Sequence, residues 1–191
     1  MVVMNRKNLR SLAAGVALLL AVGALAGCGG EKKADDSKKM VTVGIAQLVE
    51  HGALDAANKG FVAGMASKGF KENENVKYDR QNAQADQSNL QNIAQRFVSN
   101  KVDLICAIAT PTAQTMANAT KDIPIVATAV TDYEVAKLAA SNNEPKGNVT
   151  GTSDMNPIDQ QLELLLKIAP QTKNIGTVYS SSEVNSQLQV E

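Results

Sequence analysis

The sequence predicts an α/β protein built on a doubly wound parallel sheet. Between residues 40 and 153, short β-branched or apolar runs alternate with segments whose apolar residues recur at helical spacing. The run DLICAIA at 103–109 is apolar after its first residue, as is typical of a parallel strand covered on both faces. Alternating strands and helices with short connections favour a parallel sheet with helices on both sides.

The individual elements follow in a regular order. Strands are predicted at 41–48, 76–82, 103–109, 123–130 and 147–153. Two helices are predicted from apolar spacing, one with Leu54, Ala57, Phe61 and Met65 that ends near Gly69, and one with Leu90, Ile93, Ala94, Phe97 and Val98. A third helix is predicted after 103–109, with Thr110 as its N-cap and Pro111 at its first helical position.

The last part of the chain predicts the start of a second α/β lobe. Ile158, Leu162, Leu165 and Leu166 share one helical face, and NIGTVYS at 174–180 has the composition of a strand. The chain then ends within a predicted helix that has no stop signal. We therefore expect a first lobe at 40–153 that is nearly complete, and a crossover with a truncated second lobe at 154–191.

The first 27 residues have the pattern of a secretory signal. Basic residues near the start precede the uncharged run 12–26, which is shorter than the ~20 residues of a spanning helix. The tetrapeptide LAGC at 25–28 resembles the bacterial lipobox, so we expect cleavage before Cys28 and lipid on its thiol. Lipid chains hold a protein on a membrane because each buried methylene contributes about 0.8 kcal/mol. The alternative is an ordinary signal sequence with an incidental cysteine.

Composition restricts what the mature chain could bind. Residues 28–39 are Gly-Gly followed by mostly charged residues, which predicts a flexible tether. Removal of 1–27 changes 19 basic and 19 acidic residues to 16 and 19, a net charge of −3, which gives no reason to expect nucleic acid. Cys106 is then the remaining cysteine, expected in the core, and His51 is the one histidine. We therefore expect no disulfide, no metal site and no cofactor.

The predicted fold indicates where a ligand would bind. In doubly wound sheets, ligands bind outside the carboxyl ends of the strands, near helix N-termini. The segments 47–52, 109–113 and 129–132 follow three such strand ends and are small, polar and light on charge. The sequence has no Walker loop, GxGxxG or GxSxG motif, so no motif suggests an enzyme.

Four stretches carry a resemblance to a known family. They are VGIAQLVEHGALDAANKGF, DLICAIATPTAQTMANATKDIPIVATAVTDYEVAKL, GNVTGTSDMNPIDQQLELLLKIAP and IGTVYSSSEVNSQLQVE. Together they cover 41–191 almost continuously and resemble the ABC-transporter substrate-binding lipoproteins of the tryptophan/tyrosine-type family. The resemblance implies a periplasmic-binding-protein type I fold without enzymatic activity. It also implies capture of a small solute, an amino acid and in several members an aromatic one, for delivery to a membrane permease and its ATPase.

An amino-acid ligand would need a partner for its carboxylate. The two arginines of the mature chain, Arg80 and Arg96, are placed away from the predicted strand ends. We therefore expect the carboxylate at the N-terminus of the third helix, where unpaired N–H groups and the helix dipole favour an anion. Thr112 and Ala113 would offer backbone N–H groups there, and Thr112 would add its hydroxyl.

The ligand ammonium would need a carboxylate, which Asp132 or Glu183 could supply. The resemblance also implies that residues 181–186, after the first strand of the second lobe, face the cleft. The predicted ligand-binding residues are Gln47, His51, Thr110, Thr112, Ala113, Thr131, Asp132, Glu183, Asn185 and Ser186.

Each of these residues has a structural alternative. Thr110 and Thr112 could instead cap their own helix, and Asp132 could cap a helix over YEVAKLAA. Glu183 and Asn185 could begin a helix, and Gln47 and His51 could lie in a solvated loop. Asp55 is expected to stabilise its helix through the dipole. Tyr133 and Tyr179 could stack on an aromatic ligand or pack in the core, the commoner fate of an aromatic residue.

Three functional classes follow from the sequence. The first is the binding component of an ABC importer, lipid-anchored on the extracytoplasmic side of a membrane. The second is a ligand-sensing lipoprotein that acts on a membrane receptor. The third is a lipid-anchored hydrolase on an α/β scaffold, in which His51 would have to serve as the base.

Overall fold

The computed structural model describes residues 40–145 and 147–191. The predicted signal sequence, the predicted lipidation residue Cys28 and the predicted tether lie outside the described residues. Within them, no helix has the length and apolar character needed to cross a membrane.

Five parallel strands form the main sheet. They are β1 (Val41–Gln47), β2 (Val76–Asn82), β3 (Leu104–Ile108), β4 (Ile125–Val130) and β7 (Val149–Ser153). Their spatial order is β2-β1-β3-β4-β7, and every neighbouring pair is parallel. The short strands β5 (Ala139–Ser141) and β6 (Glu144–Pro145) form an antiparallel hairpin between β4 and β7. The predicted doubly wound parallel sheet is confirmed.

Helices cover both faces of this sheet. The helices of the described residues are α1 (Gly52–Ser67), α2 (Gln87–Ser99), α3 (Thr110–Ala119), α4 (Ile158–Ile168) and α5 (Val184–Val190), and the first three pack on the sheet. On one face, Leu54 and Phe61 of α1 pack against a buried cluster that includes Ile45 and Cys106. On the other, α2 and α3 contribute buried side chains to a larger cluster with β3 and β4. Successive strand residues therefore alternate between two apolar layers.

A glycine of β1 lies beneath an aromatic side chain of α2. Phe97 of α2 is fully buried, and its ring lies over Gly44. A Cβ atom at Gly44 would lie 2.7 Å from Cδ2 of that ring. The absence of a side chain at this strand position therefore lets the aromatic ring pack directly on the backbone.

Two predictions about local structure are wrong. Helix α3 has Ala109 rather than Thr110 as its N-cap, and no side chain caps it. Residues 133–138 form successive turns rather than a helix, because the chain leaves the helical path at Lys137, whose φ is +60°. Asp132 still caps the first of these turns, through a bond of 2.8 Å from Val135 N–H to its Oδ1.

The predicted strand at 174–180 is also absent. The described residues in this segment have no regular structure, and the Val178 side chain is fully exposed. A strand is stable only when a neighbouring strand pairs with it, and no strand of the described residues pairs with this segment. The apolar face predicted at 158–166 does form α4, in which no residue is buried.

Candidate functional site

Three central strands end together at what we call the carboxyl edge of the sheet. Strand order reverses between β1 and β3, and ligands bind at such a point in open α/β sheets. After β3 and within β4, Ala109 and Ala129 have φ values of +88° and +55°, a conformation that favours glycine. These strained residues bend the backbone where the edge must present its polar groups.

The side chain of Gln47 is committed to the protein itself. It is buried at the end of β1, and its Nε2 donates to Asp55 Oδ1 at 2.6 Å and to Val49 O at 2.9 Å. Its Oε1 accepts from Asn58 Nδ2 at 3.1 Å. Gln47 therefore joins β1 to the first turns of α1, which leaves its amide no free N–H for a ligand.

His51 begins helix α1. It is the N-cap residue, and its Nδ1 accepts a bond of 3.3 Å from the backbone N–H of Ala53. The rest of the imidazole is exposed at the carboxyl edge. The structure thus gives His51 a capping role and leaves its other ring nitrogen free to meet a ligand.

The start of α3 contains two buried hydroxyl groups without partners. Thr110 and Thr112 are 2% and 0% exposed, and neither Oγ1 has a hydrogen-bond partner. A buried hydroxyl without a partner is costly, and each such group in a native structure calls for an explanation. The first N–H groups of a helix also lack partners within the helix, although Pro111 has none to offer. Two hydroxyls and the backbone donors of Thr110 and Thr112 therefore belong to one short turn.

Ala113 does not contribute the donor expected of it. Its N–H bonds to Ala109 O at 3.0 Å, the first bond of the helix, so it is not free for a ligand carboxylate. The physical reason is that Ala113 lies four residues after the N-cap, where the helical ladder already supplies an acceptor.

Thr131 and Asp132 follow β4 at the same edge. Thr131 is buried, and its carbonyl accepts a bond of 2.7 Å from Ser153 Oγ. Both oxygens of Asp132 are engaged, Oδ1 by Val135 N–H and Oδ2 by Asn142 Nδ2 at 2.7 Å. Asp132 therefore organises its own loop, and an ammonium group would have to share its oxygens with these donors.

Helix α5 contacts the carboxyl edge from residues beyond the first sheet. Val184 packs against the larger core cluster, and Gln189 Nε2 lies 3.4 Å from Thr131 Oγ1. Asn185 Nδ2 donates to Glu183 Oε2 at 3.3 Å, and Asn185 Oδ1 is buried without a partner. Glu183 and Asn185 thus flank Val184, which contacts the first lobe, and their role in ligand binding stays a prediction.

Ser186 lies in a different place. It lines a groove of about 490 Å³ between α4 and α5, together with Leu162, Tyr179 and Val190. Tyr179 is half exposed in this groove. We find no contact that brings Ser186 to the carboxyl edge in the described residues.

Tyr133 is a core residue and not a stacking platform. It is 6% exposed, and its hydroxyl donates to Ala127 O at 2.9 Å, with Thr152 O at 3.2 Å. Burial raises the pKa of this hydroxyl to about 12. Of the two tyrosines considered for stacking, only Tyr179 has a ring surface that a ligand could reach.

Arg80 is closer to the carboxyl edge than the sequence suggested. It lines a groove of about 440 Å³ beside the ends of β1 and β2, with Gln47, Glu50, Asp55, Asn58, Lys59, Gln81 and Asn82. Its guanidinium is paired with both carboxylate oxygens of Glu72, at 2.6 and 2.8 Å, and this bond lowers the pKa of Glu72. Arg80 would have to leave that partner to bind a ligand carboxylate.

Other chemistries find little support at this edge. The described residues contain no group of three or more His, Cys, Asp or Glu side chains placed to hold a metal ion. Cys106 lies inside β3, where burial raises the pKa of its thiol to about 12. The edge therefore offers hydroxyl, amide and backbone groups, which suit recognition of a polar small molecule by hydrogen bonds.

The sheet order, the helices on both faces and a polar carboxyl edge define one lobe of a periplasmic-binding-protein type I fold. The chain belongs to the ABC transporter substrate binding protein family, whose model matches residues 42–191. It is 50% identical over 195 residues to the tyrosine-binding protein of Clostridioides difficile, an alignment covering 98% of this chain and 56% of that protein. The chain thus spans little more than half the length of this curated relative.

Solved structures show the same likeness. A conserved domain protein from Vibrio cholerae has a TM-score of 0.78 at 43% identity, over 80% of this chain and 51% of that one. An ABC domain from Streptococcus pneumoniae in complex with L-Trp has a TM-score of 0.76 at 45% identity, over 78% and 50% of the two chains. A ligand-free, open substrate-binding protein with adhesive properties from Clostridium difficile has a TM-score of 0.66 at 53% identity, over 78% of this chain and 51% of that one.

The sequence analysis missed the residues that hold the edge in place. Asn58 donates a hydrogen bond to Gln47 and so orients it. Asn142 donates to Asp132, and its Oδ1 accepts a bond of 2.7 Å from the backbone N–H of Tyr133. Ser153 bonds to the carbonyl of Thr131. The sequence signal for Asn142 was the turn-forming pair at 142–143, whereas nothing in the local sequence marks Asn58.

Proposed function

We propose that this chain carries the amino-acid-binding lobe of an extracytoplasmic ABC importer. The ligand is an α-amino acid with an apolar or aromatic side chain, held between the carboxyl edge and the residues around α5. Cys28 carries the lipid that keeps the protein at the outer side of a membrane. The permease and ATPase of the importer are its partners, and it catalyses no reaction.

The unpartnered hydroxyls of Thr110 and Thr112 are the observation that carries this proposal. They lie in the first turn of α3, where backbone donors and the helix dipole favour an anion. Both hydroxyls are buried without ligand, so the turn must open locally before a ligand carboxylate can pair with them. The tyrosine-binding relative and the L-Trp complex support an amino acid as the source of this carboxylate.

Both arginines of the described residues are paired with carboxylates, which is consistent with this proposal. Arg80 is paired with Glu72, and Arg96 Nε donates to Asp79 Oδ2 at 2.8 Å. The ligand carboxylate therefore relies on neutral donors, and its charge is balanced mainly by its own ammonium group. Glu183 is the better candidate partner for that ammonium, because both oxygens of Asp132 already have donors.

The replacement Thr112→Val tests the proposal in the full-length mature protein. Valine keeps the shape of threonine and removes the hydroxyl. We expect the affinity for L-tyrosine or L-tryptophan, measured by isothermal titration calorimetry, to fall at least tenfold. Without ligand, the variant should be as stable as the wild type or up to about 1 kcal/mol more stable, because a buried unpaired hydroxyl is removed.

Thr115→Val is the matched control, since Thr115 lies on the same helix and its hydroxyl is bonded to Pro111 O at 2.9 Å. This variant should lose about 0.5–1.5 kcal/mol of stability and keep its affinity for the amino acid. The proposal is wrong if Thr112→Val binds amino acids as the wild type does. It is also wrong if the wild type binds no amino acid in a thermal-shift screen, in which bound ligand must raise the melting temperature.

A further inference from the structure

Strand β4 contains an irregularity where it approaches the carboxyl edge. Ala127 pairs with Gly151 of β7, and Val130 pairs with Ser153, so three steps along β4 correspond to two along β7. The extra residue is a β-bulge, and Ala129 within it has a φ of +55°. Bulges change the direction of a strand and re-aim the residues that follow, which here are Thr131 and Asp132.

The hydroxyl of Tyr133 occupies the gap that this bulge opens. It lies 2.9 Å from Ala127 O on one strand and 3.2 Å from Thr152 O on the other. A bulge disrupts the hydrogen-bond ladder locally, so carbonyl groups beside it need another donor. Tyr133 supplies that donor from the loop that the bulge itself directs.

Gly151 is what makes room for the tyrosine. A Cβ atom at this position would lie 2.1 Å from the Tyr133 hydroxyl and 2.0 Å from Ala127 O. Any side chain at Gly151 would therefore collide with the hydroxyl and with the neighbouring strand. The bulge, the glycine and the tyrosine form one fitted unit.

The same unit is connected to the segment that follows β4. The backbone N–H of Tyr133 donates to Asn142 Oδ1, whose amide nitrogen in turn donates to Asp132 Oδ2. Across the bulge, Ser153 Oγ donates to Thr131 O, and Asp154 N–H donates to Val130 O at 3.1 Å. Displacement of the tyrosine hydroxyl would thus release both residues that follow β4.

We propose that Tyr133 is a positioning residue, whose hydroxyl holds the β4 bulge in the geometry that places the Thr131–Asp132 segment at the carboxyl edge. The inference rests on the proposed function in one respect, that the ligand binds at this edge. A tyrosine that served only to fill the core would contribute through its ring, and its hydroxyl would be dispensable to the local backbone.

Tyr133→Phe in the full-length mature protein tests this role. Tyr78→Phe is the matched control, because the Tyr78 hydroxyl is also buried but has no hydrogen-bond partner. Amide hydrogen exchange at Asp154 reports on the bulge, and exchange at Ile105, whose N–H bonds to Pro124 O at 2.9 Å, reports on the rest of the sheet. Calorimetric titration with L-tyrosine and L-tryptophan reports on binding.

We expect Tyr133→Phe to speed exchange at Asp154 at least tenfold, to leave Ile105 unchanged, and to weaken amino-acid binding at least fivefold. Tyr78→Phe should change none of these. Unchanged exchange at Asp154, or equal acceleration at both amides, would overturn the inference, since the first shows no role and the second shows general destabilisation. Faster exchange at Asp154 with unchanged affinity would overturn it as well.

The failure of the proposed function is distinguishable from the failure of this inference. A wild-type protein that binds neither amino acid refutes the proposed ligand, and exchange at Asp154 and Ile105 then decides the role of Tyr133 alone. Should Tyr133→Phe fail to fold, Asn142→Ala removes the bond to the backbone of Tyr133 and keeps its hydroxyl. We expect it to speed exchange at Asp154 more than twofold but less than tenfold, and no change there would count against the inference.

Discussion

Replacement of Gly44 by alanine would put a methyl group where the ring of Phe97 lies. The new Cβ atom would be 2.7, 2.8 and 2.9 Å from three ring atoms of this fully buried residue, so the ring or the strand must move. Overpacking of this kind costs about 1–3 kcal/mol. Alanine offsets about 0.5–1 kcal/mol of this because it loses less conformational entropy than glycine. We therefore expect Gly44→Ala to lower the free energy of unfolding by up to about 2.5 kcal/mol.

A double variant separates the clash from any other effect of the substitution. Phe97→Leu alone should destabilise the protein by about 1 kcal/mol or more, because it leaves a cavity. In Gly44→Ala/Phe97→Leu, the smaller side chain makes room for the new methyl group. The two substitutions should therefore cost less together than separately, with a coupling energy of about 1–2 kcal/mol.

Urea unfolding followed by far-ultraviolet circular dichroism measures these values, since the chain has no tryptophan for fluorescence. Gly60→Ala is the control, because a Cβ atom on this helical glycine meets nothing within 4 Å. It should stabilise the protein by about 0.5–1 kcal/mol. The reasoning would be refuted if Gly44→Ala were as stable as this control, or if the costs of the two substitutions simply added.

Two further predictions concern buried titratable groups. Burial raises the pKa of the Cys106 thiol to about 12. A thiol reagent at pH 8 should therefore modify Cys106 in urea but not in the folded protein, as mass spectrometry of its peptide would show. Fast labelling of the folded protein would contradict this prediction. Burial, with a smaller effect of Asp154, raises the pKa of Tyr133 from 10.0 to about 12. The neutral phenol is thus favoured in the folded state. It contributes about 2–3 kcal/mol to the free energy of unfolding below pH 10, and this contribution is lost as the pH rises from 10 to 12. Unfolding of Tyr133→Phe should lack this alkaline loss, and an identical pH dependence in both proteins would contradict the assignment.

The sheet and the position of its carboxyl edge could be predicted because local patterns encode them. Strand β2 matches its prediction at both ends, and the apolar run that became β3 is within one residue of its predicted limits. The helical spacing of Leu90, Ile93 and Phe97 reflects directly the face that α2 buries. These signals arise from burial on one side of an element, which a single sequence records.

The arrangement of side chains at the edge could not be predicted in the same way. Gln47 was expected to face the ligand, yet its amide is saturated by Asp55 and Asn58, partners on a helix whose rotation the sequence does not specify. Thr110 was expected to cap α3, but the left-handed Ala109 takes that position and leaves the hydroxyl of Thr110 buried. Both cases concern polar groups whose partners depend on tertiary geometry.

The account depends most on an amino-acid carboxylate bound at the first turn of α3. A crystal structure of the full-length protein with L-tyrosine or L-tryptophan measures this most directly. We predict carboxylate oxygens within hydrogen-bonding distance of the Thr112 hydroxyl and the backbone N–H of Thr110 or Thr112. A ligand whose carboxylate lies elsewhere, with these hydroxyls still unpaired, would contradict the account.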